Sequence, residues 1–402
     1  MCQVFLVNPN GILFGNGASV NVGGLVASTL NIADAYFMAG NYKFSGASQG
    51  AVLNQGAINA DGGYVALLGA NVTNDGNIVA NLGTVALVAG NAITLDVAGD
   101  GLLNVNVDQG AVNALVQNGG LIQADGAQVL LTAQSASSLL SSAVNNTGVV
   151  RAQTLVTGEN GSIMLMGDMQ SGTVNVGGTL DASAPNGGDG GFIETSAAHV
   201  KVADNTRITT LASTRKTGTW LIDPMDYTVA VGGGDITGTQ LGTNLEATSI
   251  IIESVEGTAG TLGNVDVNDA VSWAAPTTLT LRAVNDVNIN VAILGINGSS
   301  DAQAGNDVNV AAATKTTTGN LSFTTVNDVL ISASTTITTG NLAAVAGRNV
   351  AMANASTVTT GDMVLRADDD GTGPGPAAGT VAITCGSNCL TTTTGNLSIR
   401  FN

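Results

Sequence analysis

The sequence predicts an all-β protein folded as a parallel β-helix, a solenoid with about 20–21 residues per rung. Two sets of markers locked to one period carry this expectation, and composition supports it. Val287, Val308, Val329 and Val350 stand 21 residues apart, each inside an Asn-Asp-Val or Arg-Asn-Val context. A second marker keeps the same step: Thr318-Gly319-Asn320-Leu321, Thr339-Gly340-Asn341-Leu342 and Thr360-Gly361-Asp362-Met363. Aromatic residues make up 3% of the chain while Gly supplies 54 of 402 residues, a mixture with Val, Thr and Asn that favours strands and turns over helices. A β-sandwich also uses such residues, but nothing in a sandwich keeps a 21-residue register.

The repeat accepts insertions without losing its order. Val381 follows Val350 after 31 residues, and the surplus contains Asp368-Asp369-Asp370-Gly371-Thr372-Gly373-Pro374-Gly375-Pro376, a loop by its turn chemistry. A looser form of the repeat runs through the first two-thirds. Gly56-Ala57-Ile58-Asn59-Ala60 followed by Tyr64-Val65-Ala66-Leu67 returns as Gly76-Asn77-Ile78-Val79-Ala80 followed by Thr84-Val85-Ala86-Leu87. Further copies begin at Gly120, Gly148 and Gly178. Each strand is expected to alternate apolar and polar residues, so that one face points inward. One rung alone cannot satisfy its backbone or hide its apolar face, and the next rung stacked on it does both. Asn and Thr at equivalent turns are expected to stack as hydrogen-bonded ladders. These patterns divide the chain into a first section, 1–230, an irregular transition segment, 231–276, and regular repeats over 277–402 with a loop insertion near 367–379.

Composition also excludes functions. The net charge is −18, and 11 basic residues among 402 positions form no track for phosphates, so nucleic acid is not an expected partner. No apolar run reaches the length of a spanning helix, so no transmembrane segment is expected. The single histidine, His199, speaks against histidine-based catalysis and multi-histidine metal sites, and reads as a solvated or hydrogen-bonded strand residue. Asp368-Asp369-Asp370-Gly371 lacks the alternating oxygen ligands and distal Glu of a calcium loop. Gly187-Gly188-Asp189-Gly190-Gly191 has no following helix or Lys and is no phosphate loop. Glu253 and Glu256 do not alternate on one strand face. No catalytic set, metal site or cofactor is expected, and the chain is read as a non-enzyme. Cys385 and Cys389, four apart in a Gly/Ser/Asn loop, can close a small disulfide in an oxidising compartment. Free thiols are the alternative, and a metal site would need further ligands. Cys2 has no evident partner.

The opening segment, Gln3-Val4-Phe5-Leu6-Val7-Asn8-Pro9-Asn10-Gly11-Ile12-Leu13-Phe14-Gly15, reads physically as strand, turn and strand. Asn8, Pro9, Asn10, Gly11 and Ile12 in that apolar setting resemble the conserved segment of two-partner secretion exoproteins, the filamentous haemagglutinin and high-molecular-weight adhesin group. The resemblance continues through Gly17–Thr29 and again at Ala39–Gly46, and Trp220-Leu221-Ile222-Asp223-Pro224 is similar to a segment that follows the secretion domain in large adhesins. The family implies a right-handed parallel β-helix exported across the outer membrane of Gram-negative bacteria. Its implied partners are an outer-membrane transporter with periplasmic binding domains and a receptor or glycan on a host or neighbouring cell. The implied role is a secreted or surface-exposed fibrous adhesin; the alternatives are the stalk of a contact-dependent toxin or a β-helical polysaccharide-active enzyme. Asn8 to Ile12 then belong to the secretion motif, either touching the transporter or shaping a rung, with the structural role the first expectation. The resemblance also implies a signal peptide and cap ahead of this motif, so Met1 is expected to be an internal start or a fragment boundary. Arg400-Phe401-Asn402 stops inside a repeat, and a longer parent is expected.

Overall fold

The computed structural model describes residues 2–97, 103–137, 140–155, 160–255, 262–368, 379–385 and 389–401. The insertion expected near 367–379 therefore lies outside the described residues over 369–378, as does Glu256. The chain divides into two compact units, Met1–Leu221 and Ile222–Asn402. Each is a parallel β-helix with three strands per rung, and the fold is right-handed.

In the first unit one face stacks Gln3–Val7, Gly24–Ser28, Tyr64–Gly69, Thr84–Ala89, Gln128–Ala133, Ser162–Met166 and Phe192–Ser196, all parallel and in register. The second face runs from Ile12–Phe14 through Ala51–Asn54 and Asn71–Asn74 to His199–Val202, and the third from Ser19–Asn21 through Ala57–Asn59 to Arg207–Thr209. Inward side chains stack on their own kind: Leu67 on Leu87, Leu87 on Leu131, Leu131 on Leu165. All four are fully buried. At about 1.5–3 kcal/mol per buried aliphatic side chain before entropy, such a column is a main source of cohesion.

Polar columns stack as well. The amide of Asn54 donates to Asn74 Oδ1, that of Asn74 to Asn118 Oδ1, and that of Asn118 to Asn146 Oδ1, each at 2.8 Å. All four side chains are buried. Val176 occupies the next rung, and the Asn146 amide turns to Gly177 O at 2.6 Å. A buried amide that lost its neighbour would keep its desolvation cost without its bond.

Strict apolar and polar alternation does not hold in three long strands. Gly24–Ser28, Tyr64–Gly69 and Thr84–Ala89 are buried at every position. The chain leaves the solenoid twice after this face and builds a four-stranded antiparallel sheet from Asn31–Ile32, Tyr42–Ser45, Ala92–Val97 and Leu103–Gln109. That sheet covers the outward row. Val26, Ala66, Leu68, Ala86 and Val88 meet Phe44, Ile93, Leu95 and Leu103 in a second core outside the coil. The unbroken apolar runs at 64–68 and 85–89 are the pattern of strands buried on both faces.

In the second unit Val287, Val308, Val329, Val350 and Val381 pair in one column, so the 31-residue step leaves the register unchanged. Leu321, Leu342, Met363 and Leu397 form another. The segment 231–276, expected to be irregular, holds the helix Gly238–Leu245 and the strands Ser249–Glu253, Val265–Val267 and Val271–Trp273. The helix lies directly on the last of these strands: a Cβ on Gly238 or Gly242 would stand 2.2 Å or 2.3 Å from Ala270 O and Ser272 O. Glycines four apart give it a flat face, and Thr237 caps it by accepting from Gln240 N. The high glycine content that argues against a helix in isolation is what lets this one seat against an otherwise open strand edge.

Asn ladders recur here, with Asn309 on Asn288 and Asn288 on Asp266. Arg348 sits over Asp328 with Nε to Oδ1 at 2.8 Å, and this hydrogen bond holds the Asp328 carboxyl below its ordinary value of 3.8. The folded value is depressed, so this contribution is complete above the ordinary value and is lost as pH falls through the depressed one.

Two outcomes follow. Asn118→Ala leaves Asn74 Nδ2 without its ladder acceptor and is expected to cost about 1–3 kcal/mol, read as a lower denaturant midpoint and faster amide exchange around Asn74 and Asn146. Asp328→Asn is expected to lower the melting temperature at neutral pH, where the Arg348 pair is fully formed, and to change it little once pH has fallen through the depressed value, so that the acid limb of its profile is flatter than that of the parent.

Candidate functional site

The segment Asn8 to Ile12 connects the first two strands of the first rung. Pro9 fixes its own φ, and Gly11 takes a φ of 114°, which disfavours other residues. Asn8 is used at both ends of its side chain: Oδ1 accepts from Asn10 N at 3.1 Å, and Nδ2 donates to Gly11 O at 2.9 Å. Its backbone closes the turn by accepting from Gly11 N and ties it to the next rung by donating to Ser28 O. Ile12 points into the core opposite Val52. Asn8, Pro9 and Asn10 are exposed.

The turn is clasped by the following rung. Ser48 Oγ donates to Pro9 O at 2.5 Å and accepts from Gly50 N at 3.0 Å. Gly50 lies so close that a Cβ there would stand 2.7 Å from Gly11 N and 2.8 Å from Pro9 O. Sequence reasoning left Ser48 and Gly50 aside, because neither belongs to a local motif; only stacking brings them to the turn.

The three blocks that carry the family resemblance converge. Gln3–Val7 pairs with Gly24–Ser28, and Phe44 from Tyr42–Ser45 packs on Val26 and Leu30. The Phe5 ring stacks on Tyr42 with centroids 5.0 Å apart and meets Phe37 edge to face at the same distance. Tyr64 fills the space above Gly24, and burial, with a smaller contribution from Tyr42, pushes its phenol up to about 12. Exposed apolar side chains lie on the same segments: Leu13 on the strand that follows the turn, and Tyr36, Phe37 and Met38 on the segment that reaches Phe5, the last 82% exposed. The first rung thus carries exposed apolar side chains together with hydrogen-bonded amide groups at its surface.

The other singled-out residues lie elsewhere. Trp220 is buried, and its Nε1 donates to Thr195 Oγ1 at 3.1 Å. His199 is exposed on its strand. In the glycine cluster, Asp189 Oδ1 accepts from Lys216 N at 3.2 Å. Cys385 and Cys389 form a disulfide with Cα atoms 5.5 Å apart, and Cys2 is free and exposed. Among the described residues no helix is long and apolar enough to cross a membrane.

Residues 2–182 match the family model of the TPS secretion domain. The Heme/hemopexin-binding protein of Haemophilus influenzae (strain ATCC 51907 / DSM 11121 / KW20 / Rd) is 36% identical over 175 residues, 41% of this chain and 19% of that protein. The chain thus spans about a fifth of that curated relative. The crystal structure of the HMW1 secretion domain from Haemophilus influenzae has a similar fold, with a TM-score of 0.53 and 21% identity over 78% of each chain.

Gly50→Ala is expected to displace the Asn8–Ile12 turn, which hydrogen exchange would report as faster exchange at Gly11 and Ile12, with a stability loss of about 1–3 kcal/mol from overpacking. Unchanged exchange there would mean that the turn does not depend on the rung above it.

Proposed function

The chain carries the TPS secretion domain of a two-partner secretion exoprotein, and from that premise we propose that its first rungs are the surface read by an outer-membrane transporter with periplasmic binding domains. The single observation behind this reading is the convergence of the three resembling blocks on one end of the first unit, around a turn whose polar atoms are fixed by Asn8 and Ser48. Asn8 shapes the turn, while the exposed Leu13 and Met38 supply apolar contact area. A recognition site of this kind gains affinity from preorganisation, since little ordering remains to be done on binding.

The second unit supports an adhesin role for the exported protein. Its third face presents outward threonines in stacked ranks: Thr318 pairs with Thr339, Thr339 with Thr360, and Thr360 with Thr394. These hydroxyls are exposed. A repeated shallow polar face suits weak contacts to a cell-surface glycan or receptor that sum by avidity.

Export tests the first part. With a signal peptide in front and a two-partner transporter co-expressed, the parent chain is expected in the medium, and Asn8→Ala is expected to lower the secreted fraction several-fold. Equal secretion of parent and variant, both folded by circular dichroism, would refute the role given to this turn. Binding of the purified chain to intact host cells and to arrayed glycans tests the adhesin role separately; binding to neither removes it.

A further inference from the structure

The antiparallel sheet outside the coil ends at Leu103–Gln109. This strand pairs with Ala92–Val97 on one side and, among the described residues, with no strand on the other. Beyond its open edge lies a groove of about 550 Å³, walled by Val105 and Val107, floored by Leu130 and Thr132 and closed by Met166 and Met169. The floor continues the outward row that the sheet covers elsewhere. Ala66 pairs with Ala86, Ala86 with Leu130, and Leu130 with Met164; alongside, Leu68, Val88, Thr132 and Met166 pair in turn. The first two residues of each row are fully buried. Leu130, Thr132, Met164 and Met166 are only half-buried, and on the next rung the rows turn polar at Glu194 and Ser196. The apolar floor therefore outruns its cover.

The chemistry of the groove selects its occupant. An unpaired strand edge offers N–H and C=O groups at strand spacing, which an extended backbone satisfies. A floor of Leu130 and Met166 takes apolar side chains from every second position of such a strand. The lining includes Asp168 and no lysine or arginine, Asp108 is exposed on the edge strand, and the whole chain carries −18. A second copy would bring the same acidic edge and be repelled; a basic segment is attracted. We propose that Leu103–Gln109 and this groove bind an extended segment of a partner protein, with apolar and basic residues in alternation, which adds as a fifth strand of the antiparallel sheet. The site stands apart from the Asn8 turn and does not rest on the reading given to that turn.

The test is hydrogen exchange on the full chain with millimolar synthetic peptide alternating valine and lysine. The amides of Leu103–Gln109 are expected to exchange about tenfold more slowly with peptide bound. A valine–glutamate peptide, and the valine–lysine peptide N-methylated along one edge, are expected to have no effect. Met166→Glu is expected to abolish the protection while leaving the melting temperature near that of the parent. Absence of slowing, slowing by the N-methylated peptide, or protection centred on another terminal strand, such as Gln3–Val7, would each overturn the site. Because the peptide controls use the unaltered chain, the proposal remains testable if the variant fails to fold.

Discussion

The parallel in-register ladder between rungs is the constraint from which the rest of each unit follows. A three-strand rung has no partner for its own backbone, so every N–H and C=O in a strand waits for the rung above or below. Once the ladder is fixed, equivalent residues are forced into columns, and the columns explain the composition. Aliphatic residues repeat at inward positions because Leu67, Leu87, Leu131 and Leu165 occupy one line. Asparagines repeat at one buried corner because each amide is both donor and acceptor and can extend a chain of bonds without a leftover group. The chain needs few aromatics, since a narrow coil is filled by medium-sized side chains, and the largest buried rings sit at special places: Trp220 over Thr195 in the first unit, and Trp273 beside the helix in the second.

The departures from this plan are where the two proposed recognition surfaces lie. The first unit spends two excursions, one after Gly24–Ser28 and one after Thr84–Ala89, on a sheet that does not belong to the coil. That sheet brings Tyr42 to Phe5 and Phe44 to Val26, and so ties the opening strand to segments far along the chain. The same sheet has an end, and its open edge lies over an apolar floor. Strand edges are usually blunted or paired. In the second unit the helix Gly238–Leu245 does the blunting at Val271–Trp273; in the first, the edge at Leu103–Gln109 faces a groove instead.

Charge is distributed in keeping with this architecture. A solenoid of stacked identical turns places like residues one strand spacing apart, so repeated acids repel unless each is given a donor. Asp286 and Asp307 accept from backbone N–H groups of the following rung, and Asp328 has Arg348. Asp125 is likewise held by Arg151, whose guanidinium its hydrogen bond keeps protonated above the ordinary value. Arg151 and Arg348 thus each satisfy a carboxylate of the neighbouring rung.

The period, the parallel stacking and the columns of the second unit were legible in the sequence, because a strict repeat writes each residue's neighbour 21 positions away. The resemblance of Asn8 to Ile12, with its two following blocks, was legible for the same kind of reason: local turn chemistry is carried by adjacent residues. What the sequence did not reveal were the relations between segments that share no period. The second-face strand of each early rung, such as Asn71–Asn74, is too short and polar to stand out alone. The antiparallel sheet was signalled only by runs such as 64–68 that fail to alternate, and a fully apolar run does not say what covers its outer side. The helix at 238–245 runs against the propensity of its glycines and exists because Ala270 and Ser272 lie beneath it. Ser48 and Gly50 reached the turn, and Met166 the groove, only when rungs were stacked. Sequence determined what repeats, since a repeated residue meets its own equivalent; tertiary structure decided what covers the repeats, since that contact joins residues with no pattern in common.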